Sequence, residues 1–231
     1  MKKISPSLIL HFLSYILYLF FFRIIEDKET ILFFKPIILT SITYHYVAES
    51  KVKKSPLHFY IIGLLFISDN INLFGENFFH ELSIAMYLII LFILLYLIVK
   101  DSKLLIKGTP YDKYFGVIIT ILVLLFILTK ITSTFLFKTK FHHYYLFLNY
   151  VVVLLSVLIL SFYNLFKRKT ISSKFLVATL MCLFISDFFA VINAYYFQFK
   201  PLVYLSCLFE LPMYYFLINY FVNRDLEKIK Q

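Results

Sequence analysis

The chain has no tryptophan, four glycines, two cysteines and six prolines among 231 residues, and only 16% of its residues are charged. Each shortage excludes something. So little charge, beside 61% hydrophobic residues and a mean hydropathy of +0.85, cannot build the polar shell of a soluble domain, so lipid must solvate most of the surface. Cys182 and Cys207 each lie inside an apolar segment, offer neither a disulfide framework nor a zinc spacing, and read as packing residues. His11, His45, His58 and His80 fall in different segments and the His142–His143 pair in a break, so no metal site is expected, nor any cofactor. With four glycines, close glycine-faced helix packing is not a general device, and bulky Phe, Leu and Ile must interdigitate instead. Without tryptophan the aromatic belt at the membrane surfaces falls to tyrosine; Tyr44, Tyr46, Tyr60, Tyr111, Tyr114, Tyr195, Tyr196 and Tyr220 lie near the ends of apolar runs.

Those runs fall at 6–22, 30–48, 57–75, 77–99, 113–136, 143–166, 172–198 and 201–222. A bilayer core of about 30 Å takes about 20 helical residues. The expectation is an all-α polytopic bundle of eight transmembrane helices forming one domain over residues 1–231, with short loops. The first run follows Lys2 and Lys3 as a signal peptide would, but it is long and bulky and lacks small residues before Arg23, so it reads as the first helix. The net charge of +10 does not point to nucleic acid, because the lysines cluster between apolar runs rather than on one face. Of the 23 Lys and Arg, 16 fall on the side of the termini and 7 on the other, which places both ends in the cytoplasm. Two breaks are short, "GEN" and "QFK", and the topology depends on their being turns.

A pentapeptide occurs twice. "LFISD" stands at 65–69 and at 183–187, in the third and seventh runs. Leu, Phe and Ile match cheaply in this composition, but Ser-Asp does not, because only six aspartates exist and these two alone lie within spans. The pair suggests two parallel four-helix repeats, 1–100 and 113–231, with Asp69 and Asp187 at matching depth. An acid inside a membrane is costly, about 2.5–3.5 kcal/mol on insertion scales, and usually marks function. Asn72 and Glu76 continue the face of Asp69 at i+3 and i+7, Asn193 follows Asp187 at i+6, and Glu210, ahead of Pro212, is a third acid near mid-depth. The bland alternative is that these acids pair with Ser, Thr, Asn, His or Lys35 and only fix packing.

With "FFKPIILT" opening the second run, "GLLFISDNINLF" in the third and "LFISDFFAVIN" in the seventh, the chain resembles the YhhN-type lysoplasmalogenase family, eight-helix membrane proteins whose characterised members hydrolyse the vinyl ether bond of lysoplasmalogens. Lys35, Pro36, Asp69, Ser186, Asp187 and Asn193 match that family's pattern. Ser68 replaces its usual glycine, Ile93 stands at its fourth-helix histidine with Tyr96 three residues on, and Glu210 has no counterpart. The resemblance implies a lysophospholipid substrate in a bacterial inner membrane; on that expectation Asp69 and Asp187 are the catalytic pair, and Lys35 and Asn193, with Asn72 and Glu210 added on their position alone, are substrate contacts, Lys35 holding the lipid phosphate or else snorkelling at the interface.

The chemistry suits carboxyl groups. Protonating the distal carbon of a vinyl ether creates an oxocarbenium ion that water captures, much as two carboxyls act in glycosidases. One carboxyl in hydrocarbon can hold the proton while a neighbour stays ionised to meet the cation. Two other functions fit the same residues: a proton-coupled carrier, which also uses repeats and mid-membrane acids, and a non-catalytic member of the family.

Overall fold

Two of the helices start at a Ser-Pro step. Ser5 is extended (φ −68°, ψ 142°), Pro6 needs no donor in the first turn, and the Ser5 carbonyl accepts from the amides of Leu8 and Ile9 at 3.0 and 3.2 Å. Ser55 and Pro56 repeat the device, with the His58 amide on the Ser55 carbonyl at 3.1 Å. The computed structural model describes residues 5–21, 28–49, 54–71, 77–103, 144–193 and 198–227. Among them are seven helices and no strand: α1 (Pro6–Phe20), α2 (Lys28–Glu49), α3 (Pro56–Ile71), α4 (Asn77–Lys103), α5 (Tyr144–Arg168), α6 (Ile171–Ile192) and α7 (Lys200–Glu227). These match seven of the apolar runs to within two turns, and the run at 113–136 lies outside the described residues. Between α5 and α6, Lys169 adopts a left-handed φ of 52° and Thr170 caps α6, its hydroxyl accepting from the Ser173 amide at 3.3 Å.

At both short breaks the flanking helices fold back on one another. The Ser68 and Ser83 hydroxyls meet at 2.7 Å, and the Ser186 hydroxyl donates to the Ser206 carbonyl at 2.9 Å. In an unbroken helix, residues 15 or 20 apart would be separated by about 22–30 Å. The chain therefore reverses between α3 and α4 and again between α6 and α7.

The helices form a bundle whose neighbours make a ring: α2 packs on α3, α3 on α4, α4 on α5, α5 on α6, α6 on α7, and α7 back on α2. α1 lies against α2 and α7. Its faces are inverted relative to a soluble helix. Ser7, His11, Ser14, Tyr15 and Tyr18 are buried, while Ile9, Leu10, Leu13 and Ile16 are exposed, Ile16 by 60% beside Tyr15 at 0%. An apolar outer face over a polar inner one is stable in lipid and not in water. Four helices, within α4, α5, α6 and α7, are long and apolar enough to cross a membrane, and α1 and α3 are shorter apolar helices. The protein is an all-helical membrane bundle.

Tyrosine divides between two roles. Tyr44 and Tyr60, 67% and 65% exposed, sit where a belt residue should, but Tyr46 and Tyr220, 0% and 1% exposed, are core residues and not belt residues. The Tyr46 hydroxyl donates to Asp225 at 2.8 Å and meets His58 Nδ1 at 2.9 Å. Close by in sequence, the Arg224 guanidinium donates twice to Asp101, at 2.8 Å each, and Arg168 lies 3.8 Å from the same carboxylate. Glu227 accepts from the amide and hydroxyl of Ser172 at 3.0 and 2.5 Å. One end of the ring is thus tied by a polar layer to which all six of its helices contribute.

Arg224 is 3% exposed, so removing it strands the Asp101 carboxylate without its forked partner. Arg224→Leu is expected to cost about 3–5 kcal/mol, read as a lowered midpoint in thermal or denaturant unfolding in detergent; an unchanged midpoint would show that the fork contributes nothing.

Candidate functional site

The duplicated Ser-Asp pairs build the same local joint twice. In α3, Ser68 meets the hydroxyl and, at 3.2 Å, the carbonyl of Ser83 in α4; in α6, Ser186 meets the carbonyl and, at 3.2 Å, the hydroxyl of Ser206 in α7. One residue further along, each aspartate turns into the bundle. The residues four positions beyond the two receiving serines are Tyr87 and Glu210, one turn on and on the same face. Both belong to the site.

Asp69 is 5% exposed and lies among three helices. Tyr87 of α4 donates to its Oδ1 at 2.6 Å, and the Tyr214 hydroxyl of α7 is hydrogen-bonded to its Oδ2. The same hydroxyl lies 2.9 Å from Glu210 Oε1, one turn back on α7. Lys35 of α2 reaches that oxygen at 2.6 Å, with its ammonium 4.9 Å from the centre of the Tyr18 ring. Tyr15 of α1 donates to Glu210 Oε2 at 3.4 Å and to the Cys207 carbonyl at 2.5 Å. Pro212, inside α7, has no amide to give to the preceding turn, which leaves backbone acceptors for other groups beside Glu210.

Asp187 is held differently. It is half-buried, and Tyr150 of α5 is its hydrogen-bond donor. The Tyr150 and Tyr87 rings stand edge to face, 6.5 Å between centres, which links the surroundings of the two aspartates. The charge of Glu210 acts on both Asp69 and Asp187, and that of Lys35 on Asp69. Among the described residues no lysine or arginine forms an ion pair with Asp187. The result is one polar layer with three carboxyls, one ammonium and four phenols, drawn from all seven described helices.

The structure joins Asp69, Lys35 and Glu210 in one hydrogen-bonded network, and Asp187 adjoins it through the contact of the Tyr150 and Tyr87 rings. Lys35 does not snorkel: its side chain is 8% exposed and its charge is met by Glu210. Asn193 closes α6 with its Oδ1 buried and without a hydrogen-bond partner, outside the network; a step of six residues turns it to another face of the helix. Asn72 and Glu76 lie outside the described residues. Tyr96 is 56% exposed on the lipid side, away from the site. Sequence reasoning missed Tyr15, Tyr87, Tyr150 and Tyr214, which 19 tyrosines hide well. The signal that finds two of these four is spacing: Tyr87 stands four residues beyond a serine, as Glu210 does, and Tyr214 four beyond Glu210.

Chemically, such a layer can supply a proton, hold an anion next to a developing positive charge, and pass protons between oxygens. Comparison with protein-family models, with curated proteins and with solved structures finds no match for this chain.

Because Lys35 and Glu210 compensate one another away from water, losing one should hurt more than losing both. Lys35→Met and Glu210→Gln are each expected to lower stability by about 3 kcal/mol, and the double variant by clearly less than their sum. Strictly additive losses in detergent unfolding would show that the two side chains do not interact.

Proposed function

We propose that this protein is an integral membrane hydrolase resembling the lysoplasmalogenases, cleaving the vinyl ether bond of a lysophospholipid to a fatty aldehyde and a glycerophospho head group. The observation that carries the reading is the buried network of Asp69, Glu210 and Lys35 held by phenols, with Asp187, held by Tyr150, beside it. Vinyl ether hydrolysis needs an acid for its slow step and an anion beside the resulting cation, and carboxyl groups in hydrocarbon can serve as both. Asp69 and Asp187 are the catalytic pair in this reading. Lys35, with N–H groups beyond the one on Glu210, together with Asn72 and Asn193, contacts the polar end of the lipid.

The same reading places the chain in the inner membrane of a bacterium as eight spans, both ends cytoplasmic, built from two parallel repeats. A closed ring of six helices is compatible with that repeat. Exchanging α2 with α5, α3 with α6 and α4 with α7 converts every neighbouring pair of the ring into another neighbouring pair, and the two serine joints exchange with each other. A proton-coupled carrier is the second reading, favoured by the unbroken line of polar contacts from Lys35 through Glu210, Tyr214, Asp69 and Tyr87.

Purified protein in detergent, given lysoplasmalogen, is expected to release fatty aldehyde, and Asp69→Asn and Asp187→Asn are each expected to reduce release at least 100-fold, the lower range for a general acid or base. Equal release by all three proteins would remove the aspartates from the mechanism. No release by the wild type, with proton-coupled uptake into vesicles, would favour the carrier.

A further inference from the structure

We infer that Asp69, Tyr214 and Glu210 form a one-way proton relay in which Asp69 is the carboxyl that protonates the vinyl ether and Glu210, paired with Lys35, is where the proton from water enters; this rests on the hydrolase reading above.

The inference comes from counting hydrogens. Tyr214 Oη is hydrogen-bonded to Asp69 Oδ2 and lies 2.9 Å from Glu210 Oε1, yet a phenol carries one proton. Were both carboxyls ionised, one of these contacts would set lone pair against lone pair between two anions in a site poor in water. One more proton resolves the conflict, and the neighbours decide where it sits. Glu210 Oε1 meets the Lys35 ammonium at 2.6 Å, whereas both oxygens of Asp69 meet only phenols; the Tyr15 hydrogen is on the Cys207 carbonyl at 2.5 Å, so its hydroxyl, 3.4 Å from Oε2, decides nothing. The carboxyl in contact with the ammonium is the carboxylate. The extra proton therefore belongs on Asp69 Oδ2, directed at the Tyr214 oxygen, whose own hydrogen points to Glu210; Asp69 Oδ1 still accepts from Tyr87 at 2.6 Å. Every contact along the line Lys35, Glu210, Tyr214, Asp69, Tyr87 then contains one hydrogen. The charges also resolve: Lys35 and Glu210 cancel and Asp69 is neutral, while Asp187, held by Tyr150, has no ion pair with a lysine or arginine among the described residues.

The steps balance. The Asp69 proton passes to the distal vinyl carbon, the C=C electron pair forms the new C–H bond, and the ether oxygen shares a lone pair to give the oxocarbenium ion facing Asp187. A water oxygen bonds to the carbon that carries the ether oxygen, and the proton it loses is taken by Glu210. Glu210 hands a proton to the Tyr214 oxygen as Tyr214 hands its own to Asp69, restoring the starting state. The hemiacetal then collapses: its hydroxyl proton moves to the departing glycerol oxygen, the C–O bond breaks and the aldehyde C=O forms. One water is consumed.

Infrared difference spectroscopy of the purified full-length protein at neutral pH tests the assignment without turnover. A carbonyl stretch of a protonated carboxyl, shifted by exchange into D2O, is expected in the wild type and in Asp187→Asn and is expected to vanish in Asp69→Asn. Its absence from the wild type, or its loss in Asp187→Asn alone, overturns the assignment. Tyr214→Phe, which keeps the ring, is expected to lower kcat about 100-fold with KM unchanged; an unchanged kcat, or a change confined to KM, removes Tyr214 from the relay. Correct infrared behaviour without aldehyde release would leave the proton on Asp69 while rejecting the hydrolase reading.

Discussion

Lipid cannot solvate a carboxylate, and three carboxyls with a single lysine share one layer inside this bundle. Everything else in that layer answers this constraint. Four phenols surround the acids, since a tyrosine hydroxyl can donate to a carboxylate while its ring packs among Leu and Ile as any apolar group would. Serine or lysine in those positions would leave either a void or another charge. The apolar outer face of α1 follows from the same constraint, since a helix that lends Tyr15 to Glu210 and Tyr18 to Lys35 must turn its Ile and Leu outward.

The second polar layer is of a different kind. Along α7, Glu210 and Arg224 are fourteen residues apart, about 21 Å of helix. Between them the ring is filled by buried Ile61, Leu91, Leu180, Leu217 and Phe221. At the Arg224 end two arginines meet Asp101, Asp225 meets the Tyr46 hydroxyl and His58, and Glu227 meets Ser172. At the Glu210 end Lys35 alone meets Glu210, and Asp69 and Asp187 have phenols. Matched charges hold helices together, and an excess of one sign is what a cation or a proton can use. The two layers therefore separate fastening from chemistry within one ring of helices.

How much of this was legible depended on rarity. Asp69 and Asp187 stood out because aspartate is scarce and Ser-Asp within an apolar run is scarcer, and seven helices were legible because long apolar runs leave the chain no other backbone solution in lipid. The Lys35–Glu210 pair joins residues 175 apart in sequence and was not legible as a pair. Nor were the four phenols, because tyrosine serves both as belt and as buried donor, and only three-dimensional contact separates Tyr60 at the surface from Tyr214 at Asp69. The buried roles of Tyr46 and Tyr220 failed on the same ambiguity.

Under the proposed repeat, the departure from symmetry falls at the acids. If the halves are copies, the pairs α2 with α7 and α5 with α4 are equivalent, and each places one side chain on another across the ring: Lys35 on Glu210 in the first, Tyr150 beside Tyr87 in the second. A strictly symmetric bundle would hold two identical aspartates with identical neighbours, and neither would have reason to differ from the other. Replacing a phenol pair by an ion pair on one side alone gives Asp69 a nearby ammonium and two phenols, and leaves Asp187 one phenol and partial exposure. Two copies of one motif thereby acquire two environments, and a reaction that needs a donor and a counter-ion needs that difference.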